Sequence, residues 1–305
     1  MAYYLGIDGG GSKTTCAVGD ETSILATVQT GPSNITRVGK AGARESLHQA
    51  IREGCDAANI DPAQVHRACV GAAGAGREEA AQAIRKIVAE VIVEEIAVVG
   101  DMPIALEAAF GEGPGVIVIA GTGSFAYGRD SQRKTARAGG WGFAVSDEGS
   151  AHWIGLRAVR EALRAADESA TLPPLLEQLM RVRGERSFDE FLRAVNSNTD
   201  FATFFPLVVS LAEAGDSTAC QLLTEAGGEL ANLAGIVTGK LFADHIANDD
   251  SQVPLAIAGG VFRHARIVRE TFYDDVRSLN HKFALNKEIV EPVHGALQMA
   301  RRGRG

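Results

Sequence analysis

The segment Leu5-Gly6-Ile7-Asp8-Gly9-Gly10-Gly11-Ser12-Lys13-Thr14-Thr15-Cys16-Ala17-Val18-Gly19-Asp20 decides how the rest of the chain reads. Leu5 to Ile7 is a short apolar run that ends on an acid, Asp8. Three glycines follow, then Ser12, Lys13 and two threonines. Cys16 to Val18 resumes the apolar run and Gly19-Asp20 marks a turn, so the pattern predicts strand, tight glycine turn, strand. Glycines let backbone N–H groups approach an anion closely, and a run of them forms an anion-binding concavity. The carboxylate at the strand end is placed to hold a metal-phosphate, and the hydroxyls and Lys13 add donors. A glycine-rich hairpin with no ligand is the competing reading, because a short glycine motif has little specificity. Two better-known phosphate motifs do not fit. A P-loop needs Gly-Lys-Ser/Thr opening a helix, whereas the order here is Gly11-Ser12-Lys13 with β-branched residues behind it. A dinucleotide fingerprint also needs a helix after its glycines.

Outward from this hairpin, Ile24 to Gln29 reads as a third strand, and Gly31-Pro32-Ser33-Asn34 breaks the pattern. Leu47, Ala50, Ile51, Gly54 and Cys55 follow helical spacing. Val65 to Val70 is a short strand closed by the glycine loop 71–76, and Ala80, Ala83, Ile84, Ile87, Val88 and Val91 form a helical stripe. Ile96 to Val99 is a buried-type strand ending on Gly100-Asp101, and Met102 to Phe110 reads as a helix with Pro103 in its first turn. Strands followed by alternating strand and helix predict a mixed sheet with helices on its faces. The glycine-rich joint 111–115 is the candidate domain boundary. Beyond it the pattern restarts: Val116 to Ala120, Gly121-Thr122-Gly123-Ser124, then Phe125 to Gly128 again reads strand, glycine turn, strand. Gly121-x-Gly123-x-x-Ala126 matches a dinucleotide fingerprint loosely, but no helical stripe follows it. The repeat suggests two related half-domains, each offering a phosphate turn to one cleft. Next come Gly139-Gly140-Trp141-Gly142 and Ser146-Asp147-Glu148-Gly149-Ser150, then a helix carrying Leu156, Val159 and Leu163. The segment 168–200 is polar and helical with little readable chemistry. A long buried helix spans Ala219 to Leu241. Leu255 to Ala258 is a strand, Gly259-Gly260 opens a helix with Ala265, Val268 and Phe272, and Val293 to Ala300 is a terminal helix.

The 305 residues suffice for two domains of ordinary size, and 46% hydrophobic residues suffice for real cores. A net charge of -8 argues against a nucleic-acid partner, which needs clustered Lys and Arg; the basic residues are scattered apart from Arg301, Arg302 and Arg304. No apolar run is long enough to span a membrane, and the N-terminus lacks a basic leader with an apolar core. Cys16, Cys55, Cys69 and Cys220 are far apart, so free thiols in a reducing cytoplasm are expected. Neither the cysteines nor the seven histidines show zinc-ligand spacing.

Three stretches together resemble one superfamily: the Asp-Gly-Gly-Gly hairpin, the Gly-Thr-Gly-Ser hairpin, and Ile257-Ala258-Gly259-Gly260-Val261 before a helix. They are similar to the two phosphate motifs and the adenosine motif of the sugar kinase, heat-shock chaperone and actin superfamily. Within it, Gly140-Trp141-Gly142 followed by Ser146-Asp147-Glu148-Gly149-Ser150 resembles the N-acetylglucosamine kinases of the BadF/BadG-type ATPase family. Gly31-Pro32-Ser33-Asn34 and Gly100-Asp101 fall where that family places sugar contacts. Each motif is unspecific alone, but five in the same order are not.

The resemblance implies an α/β fold of two related domains of the actin-like ATPase (ribonuclease H-like) type. Each would be a mixed five-stranded sheet with flanking helices, with a cleft between them. The domains would be 1–112, completed by a terminal helix 294–305, and 113–293. It implies an ATP-dependent kinase acting on N-acetylglucosamine at the 6-hydroxyl, using Mg2+, as a cytoplasmic homodimer. By motif matching, Asp8 would hold the metal. Gly10, Gly11, Ser12, Lys13, Gly121, Thr122 and Gly123 would bind the nucleotide phosphates, and Gly259, Gly260 and His264 would lie by the adenosine. Asn34, Asp101, Ser124, Phe125, Gly140, Trp141, Gly142, Phe143, Ala144 and Asp147 would hold the sugar, with Asp101 as general base. Phe125 stands where the resemblance calls for an Asn, which bears on the preferred hexosamine. Duller roles compete. Asp101 and Asp147 both precede helices and read as N-caps. Trp141 reads as core, and His264 and Lys13 as solvent-facing. Rival functions are a glucosamine kinase, an activator ATPase of radical dehydratases, for which closely spaced cluster-ligating cysteines are missing, and a sugar-responsive regulator, for which no DNA-binding domain is evident.

Overall fold

The computed structural model describes residues 2–92, 94–197, 200–243, 252–279 and 282–303. Arg304 of the basic tail, and the end of the expected terminal helix, lie outside the described residues. The chain divides into two compact units, residues 1–115 with 290–305, and residues 116–289.

The first unit opens with β1 (Tyr3–Gly9), β2 (Thr14–Gly19) and β3 (Ile24–Thr30), followed by α1 (Ile35–Ala57). Then come β4 (Val65–Ala72), α2 (Glu78–Val88), β5 (Glu95–Gly100) and α3 (Asp101–Phe110). The five strands form one sheet in the order β3-β2-β1-β4-β5. β1, β2 and β3 pair antiparallel, as a hairpin meander does, whereas β1, β4 and β5 run parallel.

Strand alternation gives this sheet two apolar faces. Leu5, Ile7, Cys16, Val18, Ala68 and Val70 point to one side, where they pack on Leu47 and Ile51 of α1 and Ile84, Ile87 and Val88 of α2. Tyr4, Ala17 and Cys69 point to the other. There they meet Ile104 of α3 and Val293, Ala296, Leu297 and Ala300, from the last helix of the chain (Pro292–Arg302). That helix lies so close to β1 that a side chain on Gly6 would run into the Leu297 backbone. Arg301 adds two hydrogen bonds from this helix to the carbonyls of Asp20 and Ser23, at 2.7 Å each. The C-terminus therefore completes the N-terminal sheet.

The second unit repeats the plan. β6 (Gly115–Ala120), β7 (Ser124–Arg129) and β8 (Thr135–Gly139) are followed by α4 (Ala151–Glu168), α5 (Pro174–Arg183), α6 (Phe188–Asn196), α7 (Phe205–Glu213) and α8 (Ser217–Leu241). β9 (Val253–Ala258), α9 (Gly260–His264), α10 (Arg266–Ser278) and β10 (Phe283–Val290) complete it, and the Pro292–Arg302 helix is α11. Sheet order is β10-β9-β6-β7-β8, the first sheet's order with each strand replaced by its counterpart. β6 and β9 are parallel and β7 and β8 antiparallel, as are β1 with β4 and β2 with β3. The core beneath is built on α8, with Leu222, Leu223, Leu230, Ala234 and Val237 packed on Val116, Val118, Leu255 and Ile257. The segment 168–200 belongs to a separate small core in which Leu176, Leu179, Phe191 and Phe204 pack on Val159 and Ala162 of α4.

The expected five-stranded sheets are present, with β8 and β10 as strands that have no counterpart in the sequence reading. One expectation about elements is corrected. The expected single helix after Gly259-Gly260 is two helices, broken at Ala265 (φ −105°, ψ 96°); Arg269 donates to the Phe262 carbonyl near the break.

Candidate active site

In the first unit the pairing register places Gly9, Ala72 and Gly100 in one row across β1, β4 and β5. Asp8 and Asp101 flank that row at the carboxyl ends of parallel strands, the edge where open α/β sheets bind ligands. The Gly10 N–H donates to the Lys13 carbonyl at 2.9 Å and closes the turn between β1 and β2. The Gly10 carbonyl then accepts from the N–H groups of Ser33 (3.2 Å) and Asn34 (3.3 Å). Thr14 Oγ1 donates within 2.8 Å of both the Gly31 carbonyl and Ser33 Oγ. The glycine turn and the Gly31-Pro32-Ser33-Asn34 turn, far apart as motifs, are thus one bonded unit. Asn34 caps α1, its side chain accepting from the Thr36 N–H at 3.0 Å.

Burial, the neighbouring carboxylate of Asp101 and that of Glu291 push the Asp8 carboxyl up from its ordinary 3.8 to about 7, against the pull of Lys13. Glu291 immediately precedes α11 and comes to Asp8 only because that helix packs on β1. A buried carboxyl with other carboxylates beside it is a setting in which a bound cation would be favoured. Among the described residues no group of three or more His, Cys, Asp or Glu side chains is arranged to hold a metal ion. Carboxylates such as Asp8 and Asp101 beside a phosphate-type turn are the donor chemistry with which Mg2+ would be held through one or two carboxylates and a substrate phosphate, the usual mode for that ion.

In the second unit the turn between β6 and β7 is closed by the Gly121 N–H donating to the Gly123 carbonyl at 2.9 Å. The N–H groups of Ala151 and His152, at the start of α4, donate to the carbonyls of Gly121 (2.9 Å) and Thr122 (3.4 Å). Gly259 follows β9, the parallel neighbour of β6. Its φ of 101° is left-handed, and a Cβ there would strike the Ala120 backbone. Only glycine permits that approach, which brings Gly259 and Gly260 beside the Gly121-Thr122-Gly123 turn. His264 closes α9 and is exposed.

Asp147 organises the loop after β8. It is buried and left-handed (φ 70°), a conformation that Asp tolerates better than most residues. Its carboxylate accepts from the backbone N–H groups of Gly142 and Ser124, and burial still holds its pKa above the usual range. Ser124 Oγ donates to the Glu148 carbonyl at 2.6 Å. Phe125 packs against Gly140. The loop projects Trp141 and Phe143 outward, with 70% and 57% of their surface exposed. Arg137 covers one face of the Trp141 ring at 4.0 Å, and Phe143 leans on the buried His152 ring at 4.8 Å. Ala144 is exposed beside them.

These positions remove several duller alternatives. Asp101 is not an N-cap: Gly100 holds the cap of α3, and Asp101 accepts from the adjacent Met102 N–H at 3.1 Å. Asp147 is not one either, since Ser150 caps α4 by accepting from the Trp153 N–H at 3.1 Å. Trp141 is not core. Lys13 and His264 do face solvent. Three residues were not singled out in the sequence: Glu291, Arg37 and His152. Arg37 is one helical turn beyond Asn34, and a Cβ on Gly11 would lie 3.5 Å from its Nη1. Burial raises the thiols of Cys16, Cys55 and Cys69, pushing Cys55 to about 11, so they stay protonated.

Two five-stranded sheets of the same strand order, each carrying a glycine turn between its first two strands, define the class: the actin-like ATPase fold. The chain belongs to the BadF/BadG/BcrA/BcrD ATPase family, whose model matches residues 5–300. It is 31% identical over 278 residues to an N-acetylmuramic acid/N-acetylglucosamine kinase of Clostridium acetobutylicum, covering 89% of each chain. It is 28% identical over 316 residues to an N-acetyl-D-glucosamine kinase of Dictyostelium discoideum, covering 97% of each. Its structure is similar to that of a Chromobacterium violaceum protein assigned to the N-acetylglucosamine kinases, with a TM-score of 0.77 at 23% identity, covering 98% of this chain and 99% of that one.

Proposed function

We propose that the protein is an ATP-dependent sugar kinase that phosphorylates N-acetylglucosamine at its 6-hydroxyl to give N-acetylglucosamine 6-phosphate. The observation that carries this reading is the near full-length similarity to two curated kinases of that sugar, in a chain whose strand ends present Asp8 and Asp101 beside a glycine turn. Phosphoryl transfer asks little covalent chemistry of a protein; it needs positioning, charge neutralisation and an acceptor for the hydroxyl proton. Asp101 is the base: it takes the proton of the 6-hydroxyl and holds that oxygen in place. Asp8 binds Mg2+, directly or through water, with Glu291 adding negative charge behind it. When bound, the ion neutralises phosphate charge. Gly10, Gly11, Ser12 and Lys13 bind phosphate, as do Gly121, Thr122 and Gly123, and Gly259, Gly260 and His264 border the adenosine. Asn34, Ser124, Phe125, Asp147 and the 140–144 loop hold the sugar, with the free face of Trp141 against its apolar side.

The working enzyme is a cytoplasmic homodimer in this reading; among the described residues no helix is long and apolar enough to cross a membrane. Sugar-dependent ADP release across N-acetylglucosamine, N-acetylmuramic acid, glucosamine and glucose tests the proposal. N-acetylglucosamine should exceed glucose by about tenfold or more in kcat/KM, or about 1.4 kcal/mol of transition-state binding. A preference for free glucosamine would move the substrate while leaving the kinase class, and ATP turnover indifferent to every sugar would end the reading.

A further inference from the structure

We propose that Arg37 binds the terminal phosphate of the nucleotide at the first glycine turn. This rests on the kinase reading above and adds to it a residue that no motif assigns. Gly11 has no side chain, and the Arg37 guanidinium fills part of that space: a Cβ on Gly11 would sit 3.5 Å from Nη1 and 3.8 Å from Cδ. The Gly11 N–H has no acceptor among the described residues. A backbone donor, a guanidinium and the neighbouring Lys13 therefore meet on one small turn, a combination suited to an anion.

The backbone holds Arg37 in that place. Its N–H donates to the Asn34 carbonyl at 2.9 Å, and Asn34 and Ser33 are themselves bonded to the Gly10 carbonyl. Gly39 then breaks the helix, with φ 71° and ψ 174°. Residues 35–38 are thereby set off as a separate turn, tied through Asn34 to the glycine hairpin. A side chain could occupy the open space at Gly39, but not that φ without strain. The planar fork of arginine matches two oxygens of one phosphate, and a terminal phosphate presents more of them than a bridging one.

The test is calorimetry on the full chain with Mg2+, comparing the non-hydrolysable ATP analogue AMPPNP with ADP. In Arg37→Ala, AMPPNP affinity is expected to fall about tenfold, the scale of one lost charge-assisted contact, with ADP affinity changed less than about twofold. Arg37→Lys, which keeps the charge but not the fork, should fall between, and it carries the test if the alanine variant does not fold. In turnover, kcat should drop while KM for N-acetylglucosamine stays within about twofold. Equal losses for AMPPNP and ADP, or no loss for either, would overturn the proposal. So would a change confined to KM for N-acetylmuramic acid, because the guanidinium would then be pairing with a sugar carboxylate. If the unaltered chain bound neither nucleotide, the kinase reading itself would fall, a result distinct from any of these.

Discussion

Asp8→Asn should make the ligand-free protein more stable and the enzyme inactive, and the stabilisation should depend on pH. In the folded chain the Asp8 carboxyl is pushed to about 7 by burial and by the carboxylates of Asp101 and Glu291. The unfolded chain returns it to its ordinary 3.8. The folded state therefore holds this proton more tightly, and stability falls as pH rises from about 4 to about 7. At about 1.4 kcal/mol per pH decade, the loss at neutral pH and above is at most about 4 kcal/mol. That is a large part of the 5–15 kcal/mol typical of a folded chain, so denaturant titration will read it. Asparagine keeps the shape and removes the charge. The variant should gain about 1–2 kcal/mol over the unaltered protein at pH 5 and up to about 4 kcal/mol at pH 8. Mg2+ with ADP should restore part of the high-pH stability of the unaltered protein, by mass action, and add less to the variant. A variant less stable than its parent by the same amount at both pH values would refute this, showing that Asp8 serves only as a structural hydrogen-bond acceptor.

Asp101→Asn should lower kcat by about 10²-fold or more, the usual scale for a lost general base, with a smaller effect on KM. Its stability should hold or rise, because Gly100 occupies the helix cap and the charge beside Asp8 is relieved; near-normal kcat with a raised KM would make Asp101 a binding residue. Asp147→Ala should cost about 2–5 kcal/mol in denaturant unfolding, since the N–H groups of Gly142 and Ser124 lose their acceptor in a buried site and the left-handed backbone stays strained. Asp147→Asn should recover much of that, and equal stability of all three proteins would contradict the bonding described. Gly259→Ala should lower the melting temperature sharply, because its Cβ meets the Ala120 backbone at a left-handed φ; an unchanged melt would show that the Gly259-Gly260 turn after β9 can shift.

The fold was largely legible in the sequence because its buried strands are short apolar runs bounded by glycines, as in β1, β4, β6 and β9. The two strands that escaped notice are both sheet edges. β8 is Thr-Ala-Arg-Ala-Gly, and β10 carries Asn286, Lys287 and Glu288 in its middle. Edge strands are packed on few sides, so polar residues are tolerated and the alternating signal fades. The break at Ala265 has no glycine or proline to announce it. At the site, the glycine turns and strand-end acids were readable as motifs, because a turn needing left-handed or bare backbone constrains local sequence. Glu291 was not, since it reaches Asp8 from the other end of the chain by packing alone. Arg37 was hidden for a different reason: the helical spacing legible in the sequence begins at Leu47, and only the backbone angles at Gly39 show a separate turn before the body of α1. The N-cap alternative at Asp101 and Asp147 falls because Gly100, one residue before the first, and Ser150, three residues after the second, hold those positions.

The most direct measurement is phosphorus NMR of the reaction mixture after the protein has acted on N-acetylglucosamine with ATP and Mg2+. The expected spectrum shows a single new phosphomonoester coupled to the two C6 protons, growing as ADP accumulates in equal amount. Free inorganic phosphate with no sugar ester, or an ester coupled to the anomeric proton, would contradict it.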